Sequence, residues 1–178
     1  MHSFTTERLL IRPIAEQDKD TYLNLYTDVK IMRNISEPLT KITAEKAFNA
    51  SLNLMQKEKM TTMTWAIVSQ ESHKCIGIQA LNWQTTNSAE IGIMLLRDSN
   101  GKLIPEEAMG ALMEYAFNYL SIKTILANYK KSNLATKRFV KKLGFSLLSS
   151  PPQKDTENYH ECFSQTHWHK ALIKKVYP

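Results

Sequence analysis

One stretch of the chain, from Glu90 to Phe145, constrains the fold more than any other. It reads as a strand of Glu90 to Leu95, a charged turn of Arg97 to Lys102 that contains Gly101, an amphipathic helix, a strand of Lys123 to Tyr129 and a second helix. A strand, a helix and a strand in succession predict a parallel crossover within one sheet. The short turn between strand and helix directs unpaired backbone N–H groups at one point, which favours an anion such as a diphosphate.

The rest of the chain also consists of strand and helix patterns joined by short polar segments. Short polar segments separate three strands between Thr64 and Leu96, so an antiparallel meander is the simplest assembly. Either Ser132 or Asn133 suits the N-cap of the last helix, and Gly144 suits its end. The other predicted elements are a strand of Arg8 to Ile14, helices of Asp18 to Tyr26 and Thr43 to Lys59, strands of Thr64 to Ser69, Cys75 to Trp83 and Ala89 to Leu96, and later strands of Phe145 to Leu148 and Tyr159 to Ile173.

Composition limits the classes of protein to which the chain can belong. With 178 residues, 43% of them hydrophobic and 22% charged, it fits one domain of residues 1–178. No apolar run approaches the roughly 20 residues that span a bilayer. The first residues lack the pattern of a signal peptide, so we expect a cytoplasmic protein without membrane contact. The net charge of +6 favours anionic partners.

The order and spacing of these segments resemble the GNAT superfamily of acetyl-CoA-dependent N-acetyltransferases, especially the branch that acetylates the N-termini of ribosomal proteins. The resembling residues run from the opening segment Thr6–Arg12, through the pair Glu107-Ala108, to Leu143-Gly144-Phe145. The resemblance implies an α+β fold. Its central sheet is expected to be mixed and mostly antiparallel, with helices on both faces.

The resemblance also implies where acetyl-CoA binds. Its pantetheine arm is expected along the strand before the turn, and its diphosphate on the backbone N–H groups of the turn, where Gly101 lets the chain approach closely. Two residues depart from the family pattern: Asp98 stands in place of Gln or Arg, and Leu103 in place of Gly or Ala. The expected cofactor-binding residues are Ile93, Met94, Leu95, Asp98, Ser99, Asn100, Gly101, Lys102, Leu103, Asn133 and Arg138.

Three side chains are candidates for moving protons. Glu90 lies at the strand end where the arm and the acceptor are expected to meet, so its carboxylate is our candidate general base, although a surface glutamate explains the same position. Thr136 stands where the related branch often has serine, and its hydroxyl is a candidate proton donor to the leaving thiolate. Tyr129 is a second candidate donor, although an aromatic residue at a strand end is also typical of packing.

Histidine and cysteine residues near the C-terminus raise the alternative of a metal site. His167 and His169 would share one face of the predicted last strand, with His160 and Cys162 upstream. No further ligands are indicated, so we predict no metal. Cys75 is far from Cys162 in the sequence, and we expect both to be ordinary reduced thiols.

The predicted function is acetyl-CoA-dependent transfer of an acetyl group to a primary amine, which is either a protein or peptide N-terminus or a small amine. Two other classes stay open: a non-catalytic acyl-CoA-binding or regulatory module, and a basic protein associated with ribosomes or RNA. The lysines are scattered along the chain and no aromatic nucleic-acid motif is present, which counts against nucleic acid as a partner. A monomer and a homodimer are both compatible with the sequence.

Overall fold

One continuous sheet contains all the described strands. The computed structural model describes residues 2–55, 61–149 and 157–178. The strands are β1 (Ser3–Thr5), β2 (Leu9–Pro13), β3 (Thr62–Ser69), β4 (Cys75–Thr85), β5 (Ser88–Leu95), β6 (Thr124–Lys130), β7 (Ser146–Leu147), β8 (Asn158–Ser164) and β9 (Lys175–Tyr177). The helices are α1 (Lys19–Thr27), α2 (Val29–Met32), α3 (Lys41–Leu54), α4 (Ile104–Tyr119) and α5 (Leu134–Leu143). Across the sheet, the strand order is β7-β8-β6-β5-β4-β3-β2-β1-β9.

The direction of each strand follows from its connections. Short turns join β3, β4 and β5, so these strands pair antiparallel as the predicted meander. Helix α4 crosses between β5 and β6, and these two strands are therefore parallel. The other described pairs are antiparallel. The predicted mixed, mostly antiparallel sheet is confirmed.

Helices cover both faces of this sheet. Successive side chains of a strand point to opposite faces, so β4 presents Ile78 to one face and Leu81 to the other. On the first face, Ile78 packs in one cluster with Tyr22 of α1 and Phe48 of α3. On the second face, Leu81 belongs to a larger cluster with α4, which is buried from residue 108 to residue 117. The prediction of helices on both faces is also confirmed.

Helix α3 begins earlier than predicted. Thr40 is its N-cap, because the Thr40 hydroxyl oxygen accepts a hydrogen bond from the Thr43 amide at 3.2 Å. Thr43 lies inside the first turn, where its own hydroxyl contacts that of Thr40 at 2.9 Å. Two threonines three residues apart are both capable caps, and the earlier one captures the free amide. The predicted end at Lys59 lies in residues 56–60, outside the described residues.

The predicted last strand of Tyr159 to Ile173 is confirmed only as far as Ser164. Strand β8 stops at Ser164, a 3₁₀ turn follows, and the chain then crosses to the opposite edge of the sheet, where β9 pairs with β1. The reason is a tertiary contact. The Leu172 amide donates to the buried carboxylate of Glu114 on α4 at 2.6 Å, which holds this segment against the helix and away from the sheet.

The same correction separates the C-terminal histidines. His167 lies in the 3₁₀ turn and His169 in the loop after it, so they do not share a strand face. Within residues 2–55, 61–149 and 157–178, no three His, Cys, Asp or Glu side chains come together as metal ligands. In the same ranges, the helices are too short or too polar to cross a bilayer.

Candidate active site

Two neighbouring strands part in the middle of the sheet. Strands β5 and β6 pair only between residues 88–90 and residues 124–126, although β5 continues to Leu95 and β6 to Lys130. Their unpaired halves leave a cleft of about 1020 Å³ between them. Residues of α1 and α2 line this cleft on one side, and residues of α4 and α5 line it on the other. The fold therefore provides a channel large enough for an extended ligand.

The unpaired half of β5 offers its main chain to the cleft. The Leu96 amide donates to the Ile76 carbonyl at 2.9 Å, and the register between β4 and β5 is continuous through the pair of Ile78 and Met94. Hydrogen-bonding direction alternates along an antiparallel strand. The main-chain groups of Met94 therefore face β4, whereas those of Ile93 face the cleft. An extended ligand can add to this edge as a further strand would.

The turn after β5 collects free backbone amides. Its first residues form a 3₁₀ turn, in which the amides of Ser99 and Asn100 donate to nearby carbonyls. The next three residues, Gly101, Lys102 and Leu103, have φ values of 116°, 48° and 63°. Within the described part of the chain, their amides donate to no protein acceptor. These N–H groups lie at the N-terminus of α4. Free amides in such a position can bind an anion, and for this reason we refer to residues 101–103 as the anion site.

Leu103 does not fill this anion site. Its side chain is 56% exposed, and the residue is the N-cap of α4. At Gly101, an added Cβ atom would meet nothing within 4 Å. The glycine is therefore required by its positive φ and not by lack of space.

A carboxylate ties the turn to the opening segment of the chain. Glu107, in the first turn of α4, accepts hydrogen bonds from the Thr6 hydroxyl at 2.5 Å, the Arg8 amide at 3.0 Å and Arg8 Nε at 2.6 Å. Arg8 Nη1 also donates to the Lys102 carbonyl at 2.7 Å. The segment Thr6–Arg12 and the pair Glu107-Ala108 supported the family resemblance separately. In the structure they meet, and they hold the anion site in place.

Replacing Glu107 with alanine should destabilise the protein. The variant removes the acceptor of Thr6 and Arg8, and each unpaired buried polar group costs about 1–3 kcal/mol. We expect Glu107→Ala to lower the free energy of unfolding by about 2–4 kcal/mol in urea denaturation. Glu106→Ala is the matched control, since Glu106 pairs with exposed Lys142 at 3.2 Å, and it should cost less than about 1 kcal/mol. Equal losses in the two variants would contradict the proposed role of Glu107.

The start of α5 brings two predicted residues to the cleft. Asn133 is the N-cap, and its Oδ1 accepts a hydrogen bond from the Thr136 amide at 3.1 Å. Both residues line the cleft. The Thr136 side-chain hydroxyl has no hydrogen-bond partner among residues that the structure describes. It is therefore available to a ligand.

Among the charged residues that line the cleft, cations outnumber acids. Glu106 is neutralised by its contact with Lys142, so the end of the cleft near the turn carries a positive field that suits phosphate groups. The charged lining residues are the cations Lys30, Arg97, Lys102, Lys130, Arg138 and Lys142 and the acids Glu90 and Glu106.

Glu90 stands at the point where β5 and β6 part. It belongs to the last paired position, opposite Leu126, and its half-buried carboxylate lines the cleft. Oε2 accepts a hydrogen bond from Asn128 Nδ2 at 2.8 Å. For Oε1, the described residues supply no donor. One carboxylate oxygen is thus held and the other is open to a ligand.

Tyr129 lies on the other face of the sheet from Glu90, because it is three residues beyond Leu126, the register partner of Glu90. Its buried hydroxyl donates to Glu161 Oε2 at 3.0 Å. Burial, reinforced by this hydrogen bond to Glu161, raises the pKa of Tyr129 above its ordinary value. The phenol therefore stays protonated at neutral pH, with its proton already engaged.

The structure brings most of the predicted site residues together. Asp98 and Ser99 lie in the 3₁₀ turn and are outside the lining. The predicted residues that line the cleft are Glu90, Ile93, Met94, Leu95, Asn100, Gly101, Lys102, Leu103, Tyr129, Asn133, Thr136 and Arg138.

Gln79 lines the cleft although the sequence pattern did not indicate it. This residue of β4 is 1% exposed and lines the cleft, and neither polar atom of its amide has a partner within the described ranges. An unpaired buried amide costs about 1–3 kcal/mol, so a ligand with its own amide groups finds a donor and an acceptor here. The available signal was a glutamine inside the apolar run from Ile76 to Leu81.

The side of the cleft formed by α1 and α2 is aromatic. Tyr22 and Tyr26 of α1 lie with ring centroids 4.5 Å apart, and both line the cleft beside the loop of residues 34–36. Burial raises the pKa of Tyr26, so its phenol stays neutral. Burial also raises the pKa of the Cys75 thiol, and neither Cys75 nor Cys162 lines the cleft. This side can therefore hold an acceptor through neutral groups, and the Glu90 side chain lies on the same face of the sheet, because Glu90 is four residues before Met94 in β5.

Comparison with known protein families agrees with this architecture. The family model of the acetyltransferase (GNAT) domain matches residues 8–146. The uncharacterized N-acetyltransferase p20 of Bacillus licheniformis is 26% identical over 148 residues, which cover 82% of this chain and 83% of that protein.

Solved structures share the fold. An acetyltransferase from Agrobacterium tumefaciens has a TM-score of 0.78 and 22% identity over 92% of this chain and 94% of its own. Spermidine N-acetyltransferase from Vibrio cholerae, in complex with CoA and spermine, has a TM-score of 0.76 and 17% identity, and the match covers 89% of this chain and 96% of its own. RimL, a ribosomal alpha-N-protein acetyltransferase in complex with coenzyme A, has a TM-score of 0.75 and 16% identity, and the match covers 91% of this chain and 97% of its own. The family match spans most of the chain, which therefore belongs to the GNAT acetyltransferase family and is an N-acetyltransferase.

Proposed function

We propose that this enzyme binds acetyl-CoA in the cleft between β5 and β6 and transfers the acetyl group to the N-terminal amine of a peptide or protein. One observation carries the proposal. The open edge of β5 leads directly to the free amides of Gly101, Lys102 and Leu103. An extended arm that ends in a diphosphate matches both features in one line.

The residues present fit each part of acetyl-CoA. The main chain at Ile93 and the side-chain amide of Gln79 can pair with the amides of the pantetheine arm. The turn from Gly101 to Leu103 can hold the diphosphate through its N–H groups, and Arg138 adds positive charge beside it. Asp98 and Ser99 have no part in this proposal, because they lie outside the cleft.

Bound acetyl-CoA supplies an activated thioester, whose carbon–sulfur bond breaks as the carbon–nitrogen bond to the amine forms. The enzyme orients the two reactants, which can lower the barrier by about 7–11 kcal/mol. Glu90 Oε1 accepts the proton that the amine loses. The Thr136 hydroxyl gives a proton to the departing sulfur.

Two substitutions distinguish Thr136 from Tyr129 as the proton donor. The Thr136 hydroxyl is open to a ligand, whereas the Tyr129 proton is held by Glu161. We expect Thr136→Val to lower kcat by about 100-fold and Tyr129→Phe to lower it by less than about 5-fold, in a steady-state assay of thiol release. Thr136→Ser keeps the hydroxyl and should retain activity. The reverse order of effects would assign the proton donor role to Tyr129.

Charge on the α1 and α2 side of the cleft favours a peptide over a polyamine. A polyamine carries several positive charges, and the described lining near α1 and α2 offers it Glu90 but also the cation Lys30. A peptide N-terminus needs only one carboxylate for its amine, and its remaining groups can contact Tyr22 and Tyr26 through neutral hydrogen bonds. The fold itself is shared by spermidine and ribosomal-protein acetyltransferases, so the charge of the lining carries this choice.

Two measurements test the proposal in sequence. Acetyl-CoA at about 100 times Kd should raise the melting temperature by about 5–10 °C, because a ligand that binds only the folded state stabilises it. Mass spectrometry should then detect acetylated N-terminal peptides, whereas peptides with a blocked N-terminus should not react. Faster acetylation of spermidine than of any peptide would contradict the acceptor class. Binding without acetylation of any amine would support the non-catalytic module.

A further inference from the structure

Three polar side chains form a hydrogen-bonded chain across neighbouring strands where the sheet opens. Glu90 on β5 accepts from Asn128 Nδ2 on β6 at 2.8 Å. Asn128 Oδ1 contacts His160 Nδ1 on β8 at 2.8 Å. Asn128 and His160 are direct register partners in the antiparallel pair of β6 and β8. These hydrogen bonds link Glu90, the candidate base, to a histidine that lies two strands away.

The chemistry of the three groups fixes the direction of this chain. An ionised carboxylate only accepts hydrogen bonds, so the amide of Asn128 must turn its NH₂ group toward Glu90 and its oxygen toward His160. The oxygen needs a donor, and His160 Nδ1 must therefore carry a proton. Every donor then points toward the carboxylate. Such a chain orients each member more firmly than an isolated hydrogen bond would.

The hydrogen-bonded chain of Glu90, Asn128 and His160 reaches the cleft in which we expect the acceptor to bind. Glu90 and Asn128 both line the cleft at the point where β5 and β6 part. Asn128 donates a hydrogen bond to Oε2 of Glu90, and Oε1 receives none from the described residues. A carboxylate held through one oxygen presents the other in a defined direction. Geometry of this kind decides how well a base meets its proton.

We propose that Asn128, oriented by His160, is a positioning residue that holds the Glu90 carboxylate so that Oε1 faces the acceptor amine. This inference rests on the proposed function, in which Glu90 Oε1 receives the amine proton. It assigns a role to Asn128 and His160 in proton transfer, although neither touches the reacting atoms. It also explains His160 without a metal.

A double-mutant cycle tests the proposal on the full-length enzyme. Asn128→Ala should lower kcat by about 10-fold to 100-fold while the KM for acetyl-CoA stays within about twofold. Asn128→Asp should be at least as damaging, because aspartate cannot donate to Glu90 and repels it. In a Glu90→Ala background, Asn128→Ala should change the residual kcat by less than about twofold. Asn118→Ala, at an exposed position on α4, is the surface control.

Each result of the cycle has one meaning. An equal loss from Asn128→Ala in both backgrounds would overturn the positioning role, because Asn128 would then act independently of Glu90. A wild-type kcat for Glu90→Ala would instead remove Glu90 as the base, which is a failure of the proposed function. A parallel fall in melting temperature and in acetyl-CoA affinity for Asn128→Ala would mean that Asn128 is only structural.

Nuclear magnetic resonance provides a readout that needs no substrate. Nitrogen-15 spectra of the free enzyme above the pH at which histidine is charged should show neutral His160 protonated on Nδ1. Asn128→Ala removes the acceptor of that proton, and the spectrum should shift toward the Nε2-protonated form. A wild-type His160 protonated on Nε2 would overturn the proposal, because the chain could not then run toward Glu90.

Discussion

Gly101→Glu is expected to abolish acetyl-CoA binding. The variant adds a carboxylate to the turn of residues 101–103, whose free amides we propose as the diphosphate site. Two unit charges about 4 Å apart interact by about 4 kcal/mol at an effective dielectric constant near 20. Allowing for screening and side-chain motion, we expect Kd to rise by at least about 100-fold. Isothermal titration calorimetry with coenzyme A measures this change directly.

Gly101→Lys is the matched control for this prediction. Any side chain at position 101 must adopt a φ of 116°, so both variants carry the same backbone strain. They differ only in the sign of the added charge. Lysine should leave the affinity for coenzyme A unchanged or improve it. If Glu and Lys weaken binding equally, the backbone and not the charge is responsible, and the diphosphate does not bind at this turn.

Glu90→Gln should lower kcat by about 100-fold or more, since general base catalysis typically contributes about 10²–10⁴-fold. The substitution keeps the size and polarity of the side chain but removes the group that accepts the amine proton. Affinity for coenzyme A should stay unchanged, because the anion site lies at the other end of β5. Steady-state kinetics with a saturating peptide acceptor, together with calorimetry, separate these two effects.

The control for Glu90 is a carboxylate of the same type in an unrelated place. Glu71 is exposed in the turn between β3 and β4 and does not line the cleft. Glu71→Gln should therefore leave kcat unchanged. A kcat for Glu90→Gln within about threefold of the wild type would show that another group, or water, accepts the proton.

Local features of the sequence predicted the elements that position the site. Gly144 follows α5 with a φ of 101°, and Asn133 caps the start of that helix, as the pattern of small and polar residues indicated. The turn at Gly101 was likewise predicted before α4. These features depend on neighbours within one turn of chain, where backbone angles and capping bonds are set by residue type.

The resemblance to the GNAT family extended the prediction to the site. The family and the fold class were predicted and are confirmed. Most of the predicted site residues line one cleft, while their individual roles remain predictions. Asp98 and Ser99 lie in a 3₁₀ turn and outside the lining of the cleft, so their predicted contact with the cofactor stays a prediction.

The sequence by itself determined the order of strands and helices from β3 to α5, the crossover and the glycine turn, because these follow from periodicity and from residues adjacent in the chain. Only the tertiary structure decided where β5 and β6 part, which carboxylate holds the turn, and that His160 reaches Glu90 through Asn128. Such contacts join side chains that are tens of residues apart. No local pattern encodes them, because their geometry exists only once the sheet is assembled.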